Sequence, residues 1–226
     1  MKDRFQSLYH GLGYRFQQDS LLAEALTHRS AGNPNNERFE FLGDALLNWV
    51  IADELCRLQP RASEGDLTRL RASLVREPAL AEIAQTLELG ECLKLGPGEQ
   101  RSGGFRRQSI LADALEAVLA AIYLDGGIES ARNVILHLYG KSLVQLPDAE
   151  SLKDAKTRLQ EFLQGRGLPL PVYEVIEITG QAHLQQFHVR CAVPEVAQQA
   201  EGEGGSRRQA EQSAAARMLD QLKVSV

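Results

Sequence analysis

The chain has 226 residues, 43% of them hydrophobic and 24% charged, ordinary values for a soluble protein of one large domain or two small ones. No stretch approaches the roughly 20 apolar residues of a membrane span, and Met1-Lys2-Asp3-Arg4 lacks the apolar run of a signal peptide, so a cytoplasmic protein with no membrane partner is expected. The net charge of −5 leaves any polyanion binding to locally clustered bases, and three distant cysteines (Cys56, Cys92, Cys191) argue against a disulfide framework.

Residues 1–142 read as a series of amphipathic helices. Leu21-Leu22 with Ala25-Leu26, Leu46-Leu47 with Val50-Ile51, and Leu80 with Ile83-Ala84 and Leu87 recur at helical spacing. Glycine and proline punctuate them at Gly11, Gly13, Gly32 to Pro34, Pro60 and Gly96-Pro97-Gly98. The composition shifts near Leu146-Pro147-Asp148-Ala149-Glu150. This gives a first domain over residues 1–145, a linker over 146–153 and a second domain over 154–226. The acid excess lies in the first part: residues 1–150 carry 16 Lys+Arg against 21 Asp+Glu, and residues 151–226 carry 9 of each. In the second domain, 154–164 reads as a helix with Leu159, Phe162 and Leu163 on one face. Val172–Thr179 and Gln186–Val193 read as strands, Glu195–Gly202 as a third, weaker one, and 206–222 as an Ala-rich helix. The expected fold is an all-α domain followed by a small α+β domain of order α-β-β-β-α.

Two helices carry carboxylates in unusual places. Over residues 36–55, Glu37, Glu40 and Asp44 fall within roughly 60° of one another at helical periodicity. Such a stripe is either a solvated acidic face or one side of a binding site. Residues 109–124 are apolar nearly all round, as a core helix is, yet Asp113 and Glu116 share one of its faces. Burying ionised carboxylates without a counter-charge costs several kcal/mol, and no base follows Arg107 on that helix. A divalent cation is the simpler counter-charge. If the helices face each other, Glu40, Asp44, Asp113 and Glu116 form an all-oxygen site, which favours Mg²⁺ or Mn²⁺. Such sites suit phosphate-ester hydrolysis, where the metal activates water and stabilises the leaving oxygen. Just upstream, Arg101-Ser102-Gly103-Gly104-Phe105-Arg106-Arg107 reads as a flexible basic loop. It is either solvated or a phosphate contact through Arg106 and Arg107.

The block Asn36-Glu37-Arg38-Phe39-Glu40-Phe41-Leu42-Gly43-Asp44 resembles the signature of bacterial ribonuclease III. Leu26-Thr27-His28-Arg29-Ser30, Gly96-Pro97-Gly98-Glu99, Gly103-Gly104-Phe105-Arg106-Arg107 and the Asp113/Glu116 helix accompany it in the expected order. The resemblance implies an all-helical nuclease domain over 1–145 that forms a homodimer, each subunit cutting one strand of double-stranded RNA. Staggered ends with 5′-phosphate and 3′-hydroxyl are implied, as are roles in maturing ribosomal, transfer and messenger RNA. It implies Glu40, Asp44, Asp113 and Glu116 as metal ligands, with Asp44 and Glu116 catalytic and no cofactor beyond the metal. Glu37 and Glu64 would be supporting acids. Ser63-Glu64-Gly65-Asp66 reads equally as a helix start. Phe41 would be a dimer contact, or core packing.

The second domain looks like a double-stranded RNA-binding domain, of the kind that reads duplex shape over about 16 base pairs. Gln160 and Gln164, spaced i, i+4, can meet 2′-hydroxyls, and His183 in the turn between the first two strands can enter the next minor groove. Ser206, Arg207 and Arg208 open the last helix, where free N–H groups and two guanidiniums can grip phosphates. Each has a bland alternative as polar surface, turn or cap. Glu211, where a further base is common, and Glu201 and Glu203 near Arg207 point to weaker duplex affinity. A catalytically inactive RNA-binding or ribosome-associated protein of the same fold is the alternative; it should have lost carboxylates that this chain retains.

Overall fold

The computed structural model describes residues 5–181, 184–194, 196 and 198–224. It divides into two compact units, residues 1–152 and 153–226. The first is helical: α1 (Gln6–Leu12), α2 (Asp19–Ala25), α3 (Glu37–Leu58), α4 (Glu64–Val75), α5 (Glu77–Thr86), α6 (Leu89–Cys92), α7 (Pro97–Arg101) and α8 (Gln108–Val144). The second holds α9 (Ala155–Gln164), β1 (Val172–Thr179), β2 (Gln186–Val193), β3 (Gln198–Gly204) and α10 (Arg207–Val224). This is the helical domain followed by an α-β-β-β-α domain that the residue pattern implies.

Helix α8 is the axis of the first unit. From Ile110 to Ile122 it is buried on nearly every side, and α2, α3 and α5 pack against it. Its apolar stretch therefore occupies the core, as its composition requires. The helix continues beyond residue 124 to Val144, turning at Gly127, whose φ of 78° lies in the left-handed region that a side chain disfavours. Helix α4 starts with a reciprocal capping box: Ser63 Oγ accepts from Asp66 N–H at 3.2 Å, and Asp66 Oδ2 accepts from Ser63 N–H at 3.3 Å. The segments 26–28 and 94 are tied by a short parallel bridge, in which His28 N–H donates to Lys94 O at 3.0 Å and Lys94 N–H donates to Leu26 O at 2.8 Å. Leu146, Ala149 and Leu152, within the segment read as a linker, pack against the core of this unit.

In the second unit the strands form an antiparallel sheet of order β1-β2-β3. Cys191 and Val193 on β2 pack onto Leu159 and Leu163 of α9 and Ala214, Met218 and Leu219 of α10, and Val189 is buried on the same alternating face. The third strand starts three residues later and ends two later than its composition suggests. Gly202 and Gly204 lie under α10, where a Cβ at either would collide with the backbone around Ala210, so helix packing rather than strand propensity places β3. No disulfide links the three cysteines. No helix among the described residues is long and apolar enough to cross a membrane.

Candidate metal centre

The site sits where α3 crosses α8. Gly43 makes the crossing close, because a Cβ there would overlap the carbonyl of Glu116. A mid-helix glycine costs roughly 0.5–1 kcal/mol relative to alanine, so its presence marks a contact that a side chain would prevent. The close approach brings α3's acidic face against the carboxylates of α8. Oxygens of Glu40, Asp113 and Glu116 lie within 4.8 Å of one another, and all three residues are half-buried.

Their electrostatics follow from this crowding. Burial, then the charges of Asp44, Asp113 and Glu40, push the Glu116 carboxyl up to about 8. Burial, then Asp113 and Glu37, raise Glu40. Asp113 is raised by burial and by Glu77 at the start of α5, against the lowering influence of His28 and Arg29. Among the described residues no hydrogen bond or ion pair reaches any of the three carboxylates. Elsewhere this fold treats a buried acid differently: Glu54, with a side chain 6% exposed, holds Arg57 at 2.6 Å and Arg132 at 3.5 Å. The trio has no such protein cation. Three oxygen donors of like charge with no base between them fit a hard divalent cation.

The remaining acids stand around the trio. Asp44 is exposed and accepts from Asn48 Nδ2 at 2.8 Å; it lies outside the trio, although its charge is the strongest acidic influence on Glu116. Glu37 is exposed and faces Arg29 at 3.7 Å. Glu64 occupies the first turn of α4 with Thr68 Oγ donating to it at 2.8 Å, a helix-start environment apart from the trio. Glu77 is a neighbour that the residue pattern did not single out, because Arg76-Glu77-Pro78 has the form of an ordinary helix start.

A cleft of about 550 Å³ opens beside the trio, lined by His28, Arg29, Ser30, Asn36, Glu37, Glu40, Glu99, Arg107, Ser109, Ile110 and Asp113. The 101–107 segment is folded where flexibility was expected. Ser102 Oγ donates to Glu99 O at 3.1 Å, residues 104–106 make a 3-10 turn, and Arg107 reaches Glu99 at 3.0 Å. Glu99 supplies the anchoring carboxylate. Arg106 stacks on Phe105 instead, 4.9 Å from the ring centre. Phe41 is 81% exposed, which excludes core packing within the chain.

In the second unit Gln160 and Gln164 are exposed on α9, opposite the buried Leu159 and Leu163. His183 lies outside the described residues. Ser206 Oγ accepts from Gln209 N–H at 3.3 Å, capping α10, and Arg208 is exposed. Arg207 donates to Glu211 at 2.9 Å, and Glu211 also holds Lys156 of α9 at 2.7 Å. Glu201 and Glu203 face Arg190 and His188 across the sheet, at 3.2 Å for Arg190–Glu201, so their charge is directed at β2.

Comparison with known proteins matches these two parts separately. Residues 18–143 match the family model described as ribonuclease-III-like, and residues 155–222 match the double-stranded RNA binding motif. Ribonuclease 3 of Alkalilimnicola ehrlichii is 57% identical over 217 residues, 96% of this chain and 95% of that protein. Ribonuclease 3 of Proteus mirabilis is 54% identical over 213 residues, 94% of each. The crystal structure of the nuclease domain of ribonuclease III from Campylobacter jejuni is 42% identical, with a TM-score of 0.61, and covers 65% of this chain and all of that one. A second structure of that Campylobacter domain, with a TM-score of 0.59 and 43% identity, covers 61% of this chain and 96% of its own and is described by flexibility in a region involved in dimer formation. The chain belongs to the ribonuclease III family, the metal-dependent endoribonucleases that act on double-stranded RNA.

Proposed function

We propose that Glu40, Asp113 and Glu116 hold Mg²⁺, with Mn²⁺ as a substitute, at the centre where each subunit of a homodimer cuts one strand of duplex RNA. The observation that carries this reading is the trio itself: three half-buried carboxylate oxygens within 4.8 Å with no protein cation among them. When bound there, the cation supplies an activated water and stabilises the departing 3′-oxygen. The chain's own residues do the rest. Asp44, beside Glu116, adds the fourth negative charge and completes the catalytic pair with it. Glu37 pairs with Arg29 at the cleft and Arg107 lines it, with Arg106 next to it in sequence proposed as a further phosphate contact and Glu64, at the start of α4, as a supporting acid outside the trio. Attack of water on phosphorus with loss of the 3′-oxygen leaves 5′-phosphate and 3′-hydroxyl ends, staggered because two centres act on opposite strands.

Phe41, exposed next to the acidic stripe, is the dimer contact. The proposed nuclease domain covers 1–145, and the connecting segment 146–153 is proposed as a linker whose Leu146, Ala149 and Leu152 rest on the nuclease core. The RNA-binding domain covers 154–226 and meets the duplex through Gln160, Gln164, His183, Ser206, Arg207 and Arg208. The chain works in the cytoplasm on ribosomal, transfer and messenger RNA precursors. Incubation with long double-stranded RNA tests the reading: cleavage with Mg²⁺, none with EDTA, and recovery when Mg²⁺ is restored in excess. Cleavage that persists in EDTA overturns it.

A further inference from the structure

Within Leu26-Thr27-His28-Arg29-Ser30, residues 28–30 line the cleft, and the histidine, whose influence reaches Asp113, is not one of the three clustered carboxylates. The imidazole is held by its neighbours in one state. Backbone N–H of Ser30 donates to His28 Nδ1 at 3.2 Å, and Ser30 Oγ lies 2.8 Å from the same nitrogen. The hydroxyl oxygen itself accepts from Gly96 N–H at 2.9 Å, so its proton is available to Nδ1. A backbone N–H cannot point at another N–H. Nδ1 is the acceptor in this arrangement, which leaves Nε2–H as the ring's outward donor. With Nδ1 accepting, Nε2 carries its proton and serves as a donor, whereas a metal ligand or general base needs a lone pair there. Nε2 is a donor, and among the described residues nothing accepts from it.

The backbone is anchored as well. His28 N–H donates to Lys94 O at 3.0 Å, and residues 27 and 94 are bridged, so the ring stands on a fixed platform in the cleft shared with Arg29, Arg107 and Asp113. A fixed, unused donor in a cleft that Arg29 and Arg107 also line suits an acceptor-rich anion. In an RNA-cutting cleft that anion is the phosphate backbone.

We propose that His28 contacts the substrate, donating from Nε2–H to a non-bridging phosphate oxygen of the RNA strand beside the metal centre, with Ser30 and Gly96 as the residues that hold the donor in place. The inference rests on the proposed function above. A hydrogen bond to a charged acceptor that is lost without replacement costs about tenfold to hundredfold in affinity or rate.

The test uses the full-length chain and four proteins: parent, His28→Ala, His28→Gln and His28→Asn. The amide nitrogen of glutamine reaches about where Nε2 lies, and that of asparagine about where Nδ1 lies. Steady-state cleavage of a defined duplex, thermal melting and the Mg²⁺ concentration for half-maximal rate are measured for each. The expected pattern is a loss of about tenfold to hundredfold in kcat/KM for Ala and Asn, restored to within about threefold of parent by Gln, with melting and Mg²⁺ dependence unchanged. Parent-like cleavage by His28→Ala overturns the proposal. So does a loss in all three variants with lowered melting, which marks a structural role, or a loss cured by raising Mg²⁺, which marks a ligand. If the parent itself leaves duplex RNA intact, the wider function fails. Duplex binding then decides for His28 alone: weaker binding by Ala than by Gln supports the contact, and equal binding overturns it.

Discussion

Replacing Gly43 by alanine tests the geometry on which the whole centre depends. The added methyl meets the Glu116 carbonyl inside van der Waals contact, and both sides of that contact are helix backbone. Two effects oppose each other. Alanine is about 1 kcal/mol better than glycine in a helix interior. Overpacking costs about 1–3 kcal/mol, and here the upper end applies because no rotamer change relieves it. The balance is a destabilisation of about 2 kcal/mol, a fall of roughly 4–8 °C in Tm for a chain of this size. Relief comes from separating α3 from α8, which moves Glu40 away from Asp113 and Glu116. Misplacement by about 1 Å costs on the order of 10²-fold in rate. Differential scanning fluorimetry and single-turnover cleavage of a short duplex, across a Mg²⁺ series, read all three quantities. A Gly43→Ala protein that melts, cuts and responds to Mg²⁺ like the parent refutes the reasoning.

The pH response of the metal-free protein follows from Glu116. Its folded value of about 8 lies above its ordinary value of 4.5, so its contribution to stability is fully present below about pH 4.5 and is lost as pH rises through about 8. Melting of EDTA-treated protein therefore falls across that window, Glu116→Gln flattens the profile, and Mg²⁺ affinity in the parent rises over the same range; a parent profile parallel to that of the glutamine variant contradicts this. Glu211 neutralises Lys156 and Arg207 together. Glu211→Gln, placed in a cleavage-deficient background, should bind duplex RNA about threefold to tenfold more tightly, with a salt dependence steeper by about one released counterion. Unchanged affinity would show that neither base meets the RNA. Phe41→Ala removes an exposed ring, so the monomer's stability should stay within about 0.5 kcal/mol while sedimentation shows loss of the dimer; a dimer that persists discounts the contact.

The acidic helices show what a linear pattern carries and where it stops. Asp113 and Glu116 stand out in the sequence because a helix apolar all round has no cheap place for two carboxylates. The stripe Glu37, Glu40, Asp44 is visible by spacing, but which member faces α8 depends on the crossing set by Gly43. Only Glu40 is half-buried beside Asp113 and Glu116, while Glu37 and Asp44 remain exposed. The 101–107 segment looks mobile by composition, and Glu99 folds it by taking Arg107, a pairing across a turn that local propensity does not encode. The end of β3 at Gly204 is misjudged for a similar reason, since Gly202 and Gly204 are poor strand formers that packing under α10 nevertheless requires. Glu211 reads as a missing base, and its bridge to Lys156 depends on how α9 meets α10. In each case the composition limits the choices and tertiary packing makes the selection.

The central claim is that the trio holds the metal used for cutting and that duplex binding is separate from it. Glu116→Ala measured against the parent, for cleavage of long double-stranded RNA in Mg²⁺ and for binding of the same duplex by gel shift, tests both parts together. The variant should bind within about threefold of the parent and leave the duplex intact at any Mg²⁺ concentration. Retained Mg²⁺-dependent cleavage in Glu116→Ala would contradict the account.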